Sequence, residues 1–63
     1  MSDRFEYRVV SYDRANRPGG ESEVEGVVRL LNANGAQGWE LDRFEDSEND
    51  QYRMLWLKRR VPG

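Results

Sequence analysis

The stretch from Gln51 to Arg59, QYRMLWLKR, restricts the possible folds of this chain more than any other. Read at period two, Tyr52, Met54 and Trp56 point to one side and Leu55 and Leu57 to the other. A strand with bulky apolar side chains on both sides belongs in the middle of a sheet. Everything else in the sequence has to supply its neighbours and its cover.

Two further strands and one helix are available. Phe5 to Tyr12, FEYRVVSY, alternates, with Phe5, Tyr7 and Val9 on one side and Glu6, Arg8 and Val10 on the other. Aromatic and β-branched residues at that period predict a strand. The loop at residues 13–20 holds Pro18, Gly19 and Gly20 in a polar setting. From Glu21 to Asn34, Val24, Val27, Val28 and Leu31 form the stripe of an amphipathic helix, widened by Leu30. Ser22 or Glu21 stands at its start, and Glu21, Glu23 and Glu25 suit the positive end of the helix dipole. Gly26, inside the helix, costs up to about 1 kcal/mol relative to Ala, and a glycine there would allow a close approach to the sheet.

NANGAQGWELDRF, from Asn32 to Phe44, makes the exit from the helix. Gly35 is expected to take the left-handed conformation that stops the helix. Gly38 would then make a second sharp turn, leaving Trp39 to fold back against the helix as a core anchor. Trp39 and Leu41 are expected on one face of the second strand, and Glu40, Asp42 and Phe44 on the other. Glu45 to Asp50, EDSEND, is a polar turn into the third strand.

The fold expected is α+β: a single β-α-β-β domain over residues 1–63, with a three-stranded sheet in the order 1-3-2 and one helix on one face. The ordered core spans about 4–60, with a tail at 61–63. Strands one and two run parallel through a right-handed helical crossover. One helix covers one face only. Charge pairing places Arg53 and Arg59 with Glu6, Glu40 and Asp42 on the uncovered face. That puts Phe5, Tyr7, Val9, Trp39, Leu41, Tyr52, Met54 and Trp56 in the core. The open face then shows Val10, Phe44, Leu55 and Leu57, with Arg53 and Arg59 at its rim. In the opposite arrangement Met54 and Trp56 are exposed instead. Either way an apolar centre stays uncovered, and such patches mark interaction sites.

The motifs FEYRVV, NGAQGWEL and LWLKR, separated by the amphipathic helix, resemble the domain of unknown function 4177 family of small bacterial proteins. The resemblance runs from about Phe5 to Arg60 and is most specific at Gly38 to Leu41. It departs at Phe5, where family members often carry Trp. It implies a compact β-α-β-β unit and no assigned activity, so it transfers no catalytic residue.

Composition narrows the chemistry. The chain has no His and no Cys. Imidazole catalysis, thiol nucleophiles, the usual zinc ligands and Ser-His-Asp triads are therefore excluded. No catalytic residue, cofactor or metal site is assigned, and no enzymatic activity is expected. The acidic turn has oxygens that suit a hard cation, but it lacks the glycine and the distant glutamate of an EF-hand. It reads as a solvated turn. Gly19-Gly20 ahead of a helix is a poor phosphate loop, because Glu21, Glu23 and Glu25 follow it.

A net charge of −2 gives no bulk footprint of a nucleic-acid binder. The longest apolar run is far too short to span a membrane. The charged start, MSDRFEYR, is unlike a signal peptide, so a cytoplasmic protein is expected. At 63 residues, folding buries only about 60% of the chain's surface, which favours association. The leading reading is a non-catalytic protein–protein interaction or oligomerisation module. It would act through the open sheet face, or through an exposed edge of strand one or two, on itself or on a larger bacterial or phage protein. The alternative is single-stranded nucleic-acid binding through a stripe of Arg8, Arg53, Lys58, Arg59 and Arg60.

Overall fold

The computed structural model describes residues 4–62. Strand β1 (Arg4–Asp13) leads through a short 3-10 turn (Pro18–Gly20) into helix α1 (Glu23–Gly35). Strands β2 (Glu40–Asp46) and β3 (Tyr52–Val61) follow as a hairpin. The sheet order is β1-β3-β2, and β3 is antiparallel to both neighbours. This is the small open α+β sheet that the doubly apolar β3 predicts. Val61, expected in the tail, closes β3 opposite Arg4. Gly63, also expected there, lies outside the described residues, as do residues 1–3.

Helix α1 is fixed at both ends by local chemistry. Ser22 is its N-cap: the Ser22 hydroxyl accepts from the Glu25 amide at 3.1 Å, and the Glu25 carboxylate accepts from the Ser22 amide at 2.8 Å. This reciprocal box satisfies two of the helix's orphan donors. At the other end the Trp39 amide reaches the Asn34 carbonyl (3.2 Å) and the Gly38 amide reaches that of Gly35 (2.9 Å). That pair of bonds is a Schellman closure, and its left-handed residue is Gly38, at φ +89°. The expectation for Gly35 is therefore corrected. Gly35 remains helical, and a single positive-φ residue both ends the helix and launches β2.

Gly26 is where the helix meets the sheet. A Cβ there would stand 2.1 Å from Glu21 Oε2 and 2.2 Å from Tyr12 Cε1. Only a hydrogen fits, so the close approach that Gly26 allows is present, and its contact is Tyr12. The Tyr12 hydroxyl donates to Glu21 Oε2 at 3.1 Å, and Glu21 in turn is bridged to Arg29 at 3.2 Å.

The core consists of Tyr12, Val27, Trp39, Leu55 and Leu57, with Val10, Leu30, Leu31 and Leu41 packed around it. Leu55 and Leu57 are each only 1% exposed. On β1 and β3 the helix therefore covers the face opposite to the one expected from charge pairing, the arrangement that exposes Met54 and Trp56, while Trp39 and Leu41 lie inside as expected. Phe5, Tyr7 and Val9, expected inside, are 43%, 61% and 40% exposed. Tyr52, Met54 and Trp56 are half-buried on their side of β3.

Lengths explain how this face accommodates its charges. A thirteen-residue helix is about 20 Å long, whereas a ten-residue strand is about 33 Å. Charged residues can share the covered face where the helix leaves them room to pair, as Arg53 does with Glu23 in the first turn and Arg59 with Glu6. Charge pairing correctly groups Glu6 with Arg53 and Arg59, but not Glu40 and Asp42, which lie on the open side with Lys58, and it does not tell which face is dry.

Candidate functional site

On the helix side, the register aligns Val10 with Leu55, Phe44 with Leu55, Leu41 with Leu57, and Glu6 with Arg59. Val10, Phe44, Leu55, Leu57, Arg53 and Arg59 thus do share one face, as expected, but it is the covered face. As an open interaction face this set is incorrect. Leu55 and Leu57 are core, and Val10 packs against it. Phe44 is 45% exposed beside the helix, in a shallow groove with Val24, Val28 and Leu31. It reaches that side because β2 is irregular between Leu41 and Arg43, where Asp42 is an extra residue relative to β3. Such a bulge reverses the alternation, so Leu41 and Phe44 point the same way.

Ion pairs finish both ends of this face. At one end Arg14 donates to Glu23 (2.9 Å) and Asp46 (2.8 Å), and Arg53 Nε lies 2.9 Å from Glu23 Oε2. The hydrogen bonds from Arg14 hold the Glu23 carboxyl below its ordinary pKa. Arg53 also sits over the Phe44 ring, at 5.2 Å. At the other end the Trp39 indole lies between the guanidinium groups of Arg8 and Arg59, each 4.4 Å from its ring. Arg8 is held by Asn34 Oδ1 at 2.8 Å, and Arg59 by Glu6 (Nε to Oε1, 2.6 Å) and by the Gln37 carbonyl at 3.0 Å. Trp39 Nε1 is buried with no acceptor among the described residues.

Among the described residues no helix lies on the other face of the sheet. Its rows follow from the same register: Phe5 beside Arg60, Tyr7 beside Lys58 and Glu40, Val9 beside Trp56 and Arg43, and Ser11 beside Met54 and Glu45. The centre is apolar and largely aromatic. Cations lie on two of the rings, Lys58 over Phe5 at 5.2 Å and Arg43 over Trp56 at 4.8 Å. Trp56 Nε1 donates to Glu45 at 3.1 Å, and Lys58 stands 3.8 Å from Asp42.

The five residues of the expected nucleic-acid stripe do not lie together. Arg8, Arg53 and Arg59 are on the helix side, whereas Lys58 and Arg60 are on the open side. Consecutive residues of a strand alternate, so the run Lys58-Arg59-Arg60 cannot form one stripe. The residues that do share the open face are Phe5, Tyr7 and Val9 with Met54 and Trp56, a grouping that strand alternation gives without telling which side is covered.

The acidic turn is occupied by internal bonds. Asp46 accepts from Arg14, Glu45 from Trp56, and the Asp50 carbonyl from Arg14 at 2.8 Å. Ser47 and Asn49 bond each other at 2.9 Å. Among the described residues no three acidic side chains converge on a point that suits a metal ion, and no helix is long and apolar enough to cross a membrane. No family model matches the chain, and neither a curated protein nor a solved structure matches it.

Proposed function

We propose that this protein is a non-catalytic protein–protein interaction module that works through its open sheet face. The observation that carries this reading is the uncovered row of Phe5, Tyr7 and Val9 alongside Met54 and Trp56. An apolar patch rimmed by charges of both signs fits a partner surface with a dry centre and a polar rim. The shape supports the reading. The radius of gyration is 13.3 Å, against about 11 Å for a compact domain of this length, and the shortest dimension is 12 Å. One helix on one sheet leaves a slab with a whole side to be buried. The partner is a further copy of the chain or a larger protein with a flat apolar surface. Kinship with the domain of unknown function 4177 family, resting on Gly38 to Leu41, belongs to the same proposal.

The test is the solution mass by light scattering over a wide concentration range, for the native chain and for Trp56→Glu. Concentration-dependent association that Trp56→Glu abolishes, with the helix signal retained by circular dichroism, supports self-association through this face. If the native chain captures a larger protein and Trp56→Glu does not, the partner is that protein. Association or capture that survives Trp56→Glu contradicts the reading.

A second reading has one observation in its favour: Phe5, Tyr7 and Trp56 share the open face with Arg43, Lys58 and Arg60. Rings and cations on a sheet are the elements of single-stranded nucleic-acid binding. Glu40, Asp42 and Glu45 on the same face oppose it. Its signature is quenching of Trp56 fluorescence by an oligonucleotide at low salt, lost steeply as salt rises. No quenching at low salt excludes it.

A further inference from the structure

The two outer edges of the sheet differ. Edge strand β2 is short, carries the bulge at Asp42, and has Glu40, Asp42, Glu45 and Asp46 against a single Arg43. Shortness, a bulge and like charge are the devices that keep an edge from pairing with a copy of itself. Edge strand β1 has none of these. It runs for ten residues with no proline and no register shift against β3. Its two arginines and two acids cancel. Most of its side chains from Arg4 to Val9 are exposed on both faces of the sheet.

We propose that β1 pairs with β1 of a second copy, antiparallel about a two-fold axis at Tyr7, to make a continuous six-stranded sheet. The charge pattern selects that register. Residues directly opposite in an antiparallel pair share a face, and unlike charges there attract. Centred on Tyr7, Glu6 of each chain faces Arg8 of the other, Phe5 faces Val9, and Arg4 faces Val10. Centred on Glu6, the strand sets Glu6 against Glu6 and Arg4 against Arg8. Centred on Arg8, it sets Arg8 against Arg8. Centred on Val9, it leaves Glu6 opposite Tyr12 and Arg8 opposite Val10, with no charge pair. Centred on Phe5, Arg4 faces Glu6, but only residues 4–6 of the strand then overlap. The Tyr7 centre pairs Glu6 with Arg8 twice within an overlap of residues 4–10, and is therefore preferred.

In that register Glu6 sits between Arg59 of its own chain and Arg8 of the partner. Arg8 can take part without leaving Trp39, since its bond to Asn34 uses one nitrogen. The two open faces merge into one sheet face, with the Phe5, Tyr7 and Val9 rows side by side at its centre. The inference does not rest on the open-face reading, because Glu6 and Arg8 lie on the helix side.

Charge exchange is the test. Glu6→Lys alone and Arg8→Glu alone each place two like-charged pairs across the axis, and both are expected to be monomers by light scattering. Their equimolar mixture restores both attractions and is expected to be a heterodimer. Circular dichroism of each variant verifies the fold, because Glu6→Lys also loses its bond with Arg59.

A second measurement does not depend on those variants. The chain has no cysteine, and opposite Cα atoms in an antiparallel pair lie within disulfide reach. Tyr7→Cys is expected to cross-link to a dimer under mild oxidation. Phe5→Cys or Val9→Cys alone is expected not to, whereas the two mixed together are. A native chain that stays monomeric at every concentration overturns the proposal. So does a dimer indifferent to both charge variants, or cross-linking of Phe5→Cys as readily as of Tyr7→Cys. A dimer lost in Trp56→Glu but kept in Glu6→Lys overturns this pairing and leaves the open-face reading standing.

Discussion

The two faces of this sheet have similar raw material and different fates. Both carry an apolar centre on β3, Leu55 and Leu57 on one side and Met54 and Trp56 on the other. Both carry arginines and carboxylates. The helix side has the aliphatic Leu55 and Leu57 flanked by Tyr12 and Trp39 and packed with Val27, Leu30 and Leu31, and its ion pairs include Arg14 with Glu23, the first residue of the helix, and Arg59 with Glu6. The open side is made of flat rings, two of them under cations. Apolar content alone does not decide which face of a strand is dry. What decides it here is where the connections deliver their anchors, Tyr12 against Gly26 and Trp39 at the Schellman turn.

The sharpest way to break this comparison is to truncate one residue on each face. Leu57→Ala should cost about 2–5 kcal/mol of unfolding free energy, a typical loss for a buried leucine. Tyr7→Ala should cost at most about 1 kcal/mol, chiefly from strand preference. Urea titrations of both variants measure the two losses. Equal losses, or the reverse order, would mean that the faces are wrongly assigned.

Gly26→Ala sharpens it next. By helix propensity alone the change should stabilise, by about 1 kcal/mol. Because the added methyl would collide with the Tyr12 ring and the Glu21 carboxylate, we expect a net loss of about 1–3 kcal/mol, in the range of overpacked cores. A higher melting temperature for Gly26→Ala would show that Tyr12 does not pack there.

Acid tests the charged ends of the helix side. Hydrogen bonds from Arg29 and Arg14 hold the carboxyls of Glu21 and Glu23 below their ordinary pKa, and Ser22 does the same for Glu25. A carboxyl whose folded pKa is depressed adds stability that is complete above its unfolded value, near about 4.3. That stability is lost as pH falls through the folded value. The urea midpoint should therefore drop from about pH 4 downward. A midpoint that stays level in acid would show that these contacts add nothing.

How much of this was readable from sequence follows from the range of each signal. The strands, the helix and the order β1-β3-β2 come from periodicity and from the doubly apolar β3, which are local patterns. The start of the helix at Ser22 or Glu21 was legible for the same reason, whereas the cap itself and the contact of Gly26 with Tyr12 come from the structure. The dry face was not, because it depends on where Tyr12 and Trp39 are delivered against the helix, and charges at strand ends satisfy either arrangement. Phe44 was misplaced because nothing in ELDRF marks Asp42 as the extra residue of a bulge. Gly35 and Gly38 competed for one left-handed turn, and only the hydrogen bonds from Gly38 and Trp39 decide between them. The basic residues near the C-terminus were grouped by proximity in sequence, although a strand sends neighbours to opposite sides.

The face assignment underlies both the fold and the proposed function, and it is tested most directly by hydroxyl-radical footprinting of the dilute protein. The account predicts rapid oxidation of Phe5 and Tyr7, with Tyr12, Trp39, Leu55 and Leu57 protected until the chain unfolds. Protection of Phe5 and Tyr7, with early oxidation of Leu55 and Leu57, would contradict it.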